Sequence, residues 1–109
     1  KSGKLRPLGV ASLQPSPLVP GLPPIAETLP GFEATLKQGL FAPAKTPPAV
    51  VRKLNQEIVA ALNNADLREK YLAIGFEASP STPEEFTALI KAEVAKWDKL
   101  IKTAGIKAE

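Results

Sequence analysis

Residues 37–62, KQGLFAPAKTPPAVVRKLNQEIVAAL, limit the folds open to this chain more than any other stretch. The apolar run at 39–42 predicts a buried strand, and the prolines within 43–48 turn the chain because proline fixes φ and lacks an N–H. Apolar residues then recur at spacings of three and four, which predicts a helix over about 47–63. Thr46 is expected to be its N-cap, Pro47 its first residue, and Asn63-Asn64 its end. A strand, a turn and an amphipathic helix in this order predict a βα unit.

The remaining elements predict an α/β chain with two or three strands and three main helices. Strands are expected at 4–11, at 32–42 and, in short form, at 76–78, with Gly9 allowing the close approach of another backbone. Five of the twelve prolines fall in 12–24, which predicts an extended connection, followed by one or two helical turns at 23–28. A second helix is expected at 65–74, ended by Gly75.

The last helix, about 83–104, has the clearest start signal. Thr82, Pro83 and Glu85 form the pattern of a capping box, and Gly105 is a typical terminator. Trp97 lies on its apolar face and is expected in the core, whereas its lysines predict a solvated face. The capping box also explains Glu84 and Glu85 better than an acid/base pair does.

Composition excludes several kinds of chemistry. The chain contains no cysteine and no histidine, so a thiolate metal site, a disulfide and a Ser-His-Asp triad cannot form. No Asp/Glu cluster has the spacing of metal ligands, and no cofactor motif is present. A net charge of +3 arises from intermixed basic and acidic residues, which favours an ordinary surface over a nucleic-acid partner. We therefore expect no enzyme, no metal, no cofactor and no bound nucleic acid.

Several short motifs occur in a fixed order along the chain. They are residues 4–12 (KLRPLGVAS), 20–27 (PGLPPIAE), 29–33 (LPGFE), 39–48 (GLFAPAKTPP), 51–55 (VRKLN) and 82–86 (TPEEF). Their order and spacing resemble the C-terminal part of the tripartite tricarboxylate transporter substrate receptors, the Bug family. Each motif is weak by itself, but together they cover essentially the whole chain.

The resemblance implies a periplasmic binding protein with a type II fold, in which two α/β lobes close on a small organic ligand, often a carboxylate. The ligand is then delivered to membrane transporter subunits. Receptors of this family are about three times as long, so the resemblance implies that this chain is the C-terminal third, with its signal peptide elsewhere. Residues 1–31 would come from the interlobe region and 32–109 from the first lobe, including the long helix 83–104.

Two departures from the family pattern bear on the ligand. The turn at 20–24 lacks the family's acidic and hydroxyl side chains, which leaves backbone N–H groups for ligand contact. Lys37-Gln38 replaces an aromatic pair, and Lys37 would favour an anionic ligand. The candidate ligand-binding residues are Ser12, Gly21, Leu22, Lys37 and Gln38.

Two further expectations concern partners. Strand edges and apolar helix faces that lack their cover should make this chain marginally stable or self-associating, unless the missing N-terminal part of the receptor covers them. The alternative function is a self-standing α/β interaction module that docks through its terminal helix.

Overall fold

The structure, a computed structural model, describes residues 3–107. Among these residues it contains a 3₁₀ turn at Ile25–Glu27 and the helices α1 (Pro48–Leu62), α2 (Ala65–Ala73) and α3 (Pro83–Ala104). The chain divides into two compact units. The proline-rich unit comprises the described part of Lys1–Phe41 together with Tyr71–Glu77, and the helical unit comprises Ala42–Lys70 with the described part of Ala78–Glu109.

Helix α1 begins one residue later than predicted, at Pro48, and its N-cap is Pro47. The prediction of Thr46 as N-cap is wrong, because the Thr46 hydroxyl donates to the Pro43 carbonyl oxygen at 2.8 Å instead. Lys45, in the turn before it, has a φ of 73°, a left-handed conformation that few non-glycine residues adopt. The proline turn is therefore closed by its own hydrogen bonds, and the helix starts on proline without a side-chain cap.

The junction between α1 and α2 also differs from the prediction. Asn63 has right-handed backbone angles, so the expected left-handed terminator is absent at that residue. Asn64 instead caps α2, since its Oδ1 accepts a hydrogen bond from the Leu67 N–H at 3.1 Å. Asp66 lies in the first turn of α2, as predicted, where the helix dipole favours a negative charge.

Helices α2 and α3 end as the sequence predicts. Gly75 and Gly105 both have positive φ, 88° and 66°. The N–H of the residue after each glycine donates a hydrogen bond to a carbonyl of the last helical turns: Phe76 donates to Tyr71, and Ile106 donates to Ile101. This is the Schellman arrangement, which satisfies carbonyls that the helix leaves without partners.

The predicted bounds of α3 are confirmed, and so is its capping box. Within the helical unit α3 contacts α1, and the Asn55 side-chain amide donates to the Ser81 carbonyl oxygen at 2.8 Å just before α3 begins. Much of its apolar face is nevertheless exposed, including Val94 and Leu100. Trp97 is 38% exposed, so the expectation that it lies in a core is wrong.

The predicted strands at 4–11, 32–42 and 76–78 are absent from the structure over residues 3–107. Sheet pairing there is limited to a single parallel bridge between Val10 and Pro24. Residue 76 follows the turn that ends α2, and its N–H donates to the Tyr71 carbonyl of that helix, so this N–H is not available to a strand. The two or three predicted strands are thus absent from the described residues, whose regular secondary structure is helical.

The bridge itself shows why no ladder grows from it. Val10 donates to the Pro23 carbonyl at 3.0 Å, and Ile25 donates to the Val10 carbonyl at 2.9 Å. The preceding bond of a parallel ladder would need an N–H on Pro23, which has none. The following bond would need the Ile25 carbonyl, which already accepts from Thr28 and Leu29 in the 3₁₀ turn. Proline on one side and the 3₁₀ turn on the other therefore stop the pairing.

Candidate functional site

Three extended segments of the proline-rich unit lie side by side. The middle segment bonds through Val10 to residues 23–25 on one side, and the Ala11 carbonyl accepts from the Ala34 N–H at 3.0 Å on the other. Gly9 permits the close approach, since a Cβ there would lie 3.1 Å from the Pro23 carbonyl oxygen. The segments around residues 10, 24 and 34, which lie ten or more residues apart in the sequence, thus meet around residues 10–12.

Ser12 lies in the middle segment and is half-buried. Its hydroxyl donates to the Gln14 carbonyl oxygen at 2.7 Å, which fixes the direction of the hydroxyl hydrogen. The oxygen keeps its acceptor lone pairs. In this conformation Ser12 is suited to receive a hydrogen bond from a ligand rather than to donate one to a carboxylate.

Gly21 and Leu22 close a tight turn in the proline-rich connection. Gly21 has a φ of 86°, and the Leu22 N–H donates to the Val19 carbonyl at 3.3 Å. Because the Leu22 N–H lies in this turn, its use for a ligand would require that weak bond to break. The Ser16 carbonyl accepts from the Val19 N–H at 3.2 Å in the turn just before it, and the Ser16 hydroxyl donates to Glu77 Oε1 at 2.7 Å.

Lys37 is not a free surface cation. Its ammonium lies 2.9 Å from Glu33 Oε1, and the two side chains are only 28% and 24% exposed. The Thr35 hydroxyl donates to the same carboxylate oxygen at 3.1 Å. Glu33, Thr35 and Lys37 therefore form one hydrogen-bonded cluster, here called the polar cluster, and Gln38 follows it as an exposed residue.

In residues 32–37 the polar side chains are more buried than the apolar ones, which is the opposite of the usual pattern. Residues 33, 35 and 37 are half-buried, whereas the apolar Phe32 and Leu36, at alternate positions of the same stretch, are 38% and 75% exposed. Alternation of period two places the polar cluster on one face of an extended chain. Glu33 and Thr35 were not among the predicted site residues, although their alternation with Lys37 was visible in the sequence.

The structure thus brings the predicted residues into one unit without joining all of them. Ser12 comes directly after Val10 and Ala11, whose backbones bond to residues 23–25 and to residue 34. Lys37 lies in the same unit, three residues after Ala34. Among the described residues no group of three His, Cys, Asp or Glu side chains could hold a metal ion. None of the helices in that part of the chain is both long and apolar enough to cross a membrane.

Comparison with known proteins identifies relatives along nearly the whole chain. The sequence profile described as "Tripartite tricarboxylate transporter family receptor" matches residues 1–106. A UPF0065 protein from the clcB-clcD intergenic region of Pseudomonas knackmussii is 39% identical over 103 residues, which cover 93% of this chain and 61% of that protein. Protein BugT of Bordetella pertussis is 31% identical, over 98% of this chain and 33% of its own length.

A solved structure is also similar. The structure described as "R. palustris Rpa4515 with adipate" is 36% identical in sequence and superposes with a TM-score of 0.75, over 92% of this chain and 34% of that one. The chain therefore spans about a third to three fifths of the length of these relatives.

Proposed function

Because this chain belongs to the tripartite tricarboxylate transporter receptor family, we propose that it forms part of a receptor that binds a small organic acid for a membrane transporter. The observation that carries the proposal is the family match over residues 1–106, together with the likeness to a receptor structure that contains adipate. The family consists of transport receptors and not of enzymes, so binding and release of a solute is the expected activity.

The architecture of the whole receptor belongs to the same proposal. We infer a periplasmic protein of the type II binding-protein fold, in which residues 1–31 lie in the interlobe region and 32–109 in the first lobe. The TM-score of 0.75 at 36% identity supports a common fold with that solved structure. The extended segments of the proline-rich unit would then gain strand partners from other parts of the receptor, since a strand exists only through pairing with its neighbours.

The exposed apolar side chains support the same view. The exposed residues of the proline-rich unit include Leu36, Leu40 and Phe41, each more than 70% accessible, and α3 exposes Val94 at 64%. Exposed apolar groups of this number mark contact surfaces in soluble proteins. We propose that they contact the remainder of the receptor, and that a self-standing docking module is the competing function.

The ligand site is proposed to lie where the three extended segments meet. Ser12 supplies an acceptor there, the turn at Gly21-Leu22 supplies backbone N–H groups after a small rearrangement, and Lys37 with Gln38 supplies further donors. A carboxylate ligand needs such donors because each of its oxygens accepts more than one hydrogen bond.

A chimeric receptor tests this function. This chain would replace the matched third of the R. palustris receptor, and binding would be measured by isothermal calorimetry with adipate, other dicarboxylates, aromatic acids and amino acids. The unmodified R. palustris receptor serves as the control. We expect the chimera to bind at least one carboxylate with an affinity within about tenfold of the control, a difference of about 1.4 kcal/mol in binding free energy. A folded chimera that binds none of these compounds would overturn the proposal.

A further inference from the structure

Residues 16–22 form two consecutive turns, here called the double turn. The Val19 N–H donates to the Ser16 carbonyl at 3.2 Å, and the Leu22 N–H donates to the Val19 carbonyl at 3.3 Å. Each turn has a proline as its second residue, and Gly21, with a φ of 86°, is the third residue of the second turn. Both closing bonds are longer than the roughly 2.9–3.0 Å that is most common for such bonds. The double turn therefore has a defined shape but is closed only weakly by its own backbone.

The Ser16 hydroxyl joins the double turn to Glu77. It donates to Glu77 Oε1 at 2.7 Å and accepts from the Leu18 N–H at 3.2 Å. A hydroxyl has a single hydrogen, which the carboxylate takes, so its oxygen serves the Leu18 N–H as an acceptor. Donation to a charged group also polarises the hydroxyl and strengthens the bond that it accepts. The contact with Glu77 thus favours the conformation in which the first turn is formed.

Glu77 is held in place by the end of α2. It follows Gly75 by two residues, and the N–H of the residue between them, Phe76, donates to the Tyr71 carbonyl at 2.9 Å. The segment Tyr71–Glu77 belongs to the same compact unit as Ser16, although the two contacting residues are 61 positions apart in the sequence. A carboxylate positioned by a helix end therefore holds a loop from a distant part of the chain.

Apolar packing contributes little to the closure of the double turn. Leu18 and Val19 are 37% and 38% exposed, and residues 17, 20 and 21 are exposed as well. Segments with little buried apolar surface and exposed backbone hydrogen bonds open locally at a low cost in free energy. A hydrogen bond to a charged group is stronger than one between neutral groups. The bond to Glu77 is therefore a substantial part of what keeps the double turn closed.

We propose that the Ser16–Glu77 hydrogen bond is a latch on the double turn. While the bond is made, the double turn stays closed and the Leu22 N–H remains bonded within it. When the bond is broken, the double turn opens and the Leu22 N–H becomes accessible. Ser16 and Glu77 are thus positioning residues for this N–H. The latch rests on contacts within the chain alone. A ligand that used the Leu22 N–H, as in the function proposed above, would bind the open state.

Amide exchange with solvent, measured residue by residue by NMR on the chain without ligand, tests the latch. Glu77→Ala removes the acceptor of the Ser16 hydroxyl and should speed the exchange of the Val19 and Leu22 amides by about threefold to tenfold. Glu77→Gln keeps an uncharged acceptor and should give a smaller increase. Glu69→Ala is the matched control, because Glu69 is an exposed glutamate of α2 and its loss should leave both rates unchanged.

Substitutions of Ser16 show whether the two residues act through one bond. Ser16→Thr keeps a hydroxyl and should retain the slow exchange, whereas Ser16→Ala should speed it. The double variant with alanine at both positions should exchange at Val19 and Leu22 no faster than the faster single variant, because either substitution already removes the shared contact.

Three results would overturn the latch. The first is a change of less than about twofold in Glu77→Ala, and the second is additive acceleration in the double variant. The third is an equal acceleration at the Val10 and Ile25 amides, which donate in the bridge and would report a loss of stability throughout the unit. Because the measurement uses no ligand, a chimeric receptor that binds no carboxylate would overturn the proposed function and leave the latch standing.

Discussion

Thr82 and Glu85 bond to each other's backbone at the start of α3. The Thr82 hydroxyl accepts from the Glu85 N–H at 3.1 Å, and the Glu85 carboxylate accepts from the Thr82 N–H at 2.8 Å. The carboxylate also accepts from the Thr82 hydroxyl at 3.0 Å. These contacts satisfy N–H groups that a helix start leaves without partners. The start of the longest helix thus depends on one ionised side chain.

Acidification is expected to loosen the first turn of α3. The hydrogen bond from the Thr82 N–H, followed by that from its hydroxyl, holds the pKa of Glu85 below its ordinary value. A carboxyl group whose pKa is lowered by folding contributes stability above the unfolded-state pKa, and this stability is lost as the pH falls through the lowered pKa. The helicity of residues 83–86, followed by NMR chemical shifts, should therefore decrease as the pH drops below about 4.3, the ordinary glutamate pKa.

Two substitutions assign this acid transition. Glu85→Gln keeps an acceptor for the Thr82 N–H and removes the titration, so the pH dependence of the first turn should vanish. Glu84→Gln changes the neighbouring residue of the same turn and should leave the transition in place. A transition that persists in Glu85→Gln would mean that another group controls the start of α3.

Local signals located the helices, although they misplaced the caps of α1, and they failed where structure depends on distant pairing. The bounds of α3 follow from Thr82 and Gly105, which act within a few residues of themselves. The strand expected at 4–11 failed because its pairing ends at Pro23 and at the Ile25 carbonyl, and this competition arises only when the segments meet. A sequence pattern indicates whether a segment tends to be extended, but it does not indicate whether a neighbouring segment has free N–H and carbonyl groups for strand pairing.

The same distinction applies to the candidate site. Lys37 was singled out from the sequence as an unusual cation in a strand-like stretch, and the structure shows it paired with Glu33. Glu33 was missed because pairs of residues four apart are ordinarily sought on helices, whereas this pair lies on an extended segment. An alternating Glu-x-Thr-x-Lys pattern is the signal that would have found the polar cluster.

Gly9→Ala is expected to open the bridge between Val10 and Pro24. A methyl group at residue 9 would lie 3.1 Å from the Pro23 carbonyl oxygen and 3.2 Å from Ile25 Cγ1, so the backbones would have to separate. Hydrogen exchange of the Val10 and Ile25 amides, both donors in the bridge, should become faster. Gly31→Ala shows how much exchange changes through backbone strain alone, because its φ of 81° strains any residue with a Cβ while no atom lies within 4 Å of the added methyl group. Unchanged exchange in Gly9→Ala would contradict the close approach.

Lys45 should resist substitution by β-branched residues. Its φ of 73° is costly for any residue with a Cβ and most costly for a branched one. Lys45→Val is expected to destabilise the helical unit by about 1–2 kcal/mol. Lys45→Gly should be neutral or slightly stabilising, because glycine adopts this conformation freely but gains more freedom in the unfolded chain. Thermal unfolding followed by circular dichroism measures the stability of both variants. Equal stability of Lys45→Val and Lys45→Gly would show that the backbone at residue 45 is not strained.

The 109-residue chain by itself is expected to self-associate through its extended segments. Leu36 and Leu40 are each 75% exposed on backbone that belongs to no sheet, and Phe41 beside them is 73% exposed. Association removes this apolar surface from water at a gain of about 25 cal/mol per Å² and supplies partners for extended backbone. Sedimentation velocity should show a shift toward larger species as concentration rises. Leu36→Asp should reduce that shift, whereas Gln38→Asp, which adds the same charge two residues along on a side chain that is already polar, should leave it largely intact. A folded species that stays monomeric at all concentrations would show that these segments need no partner.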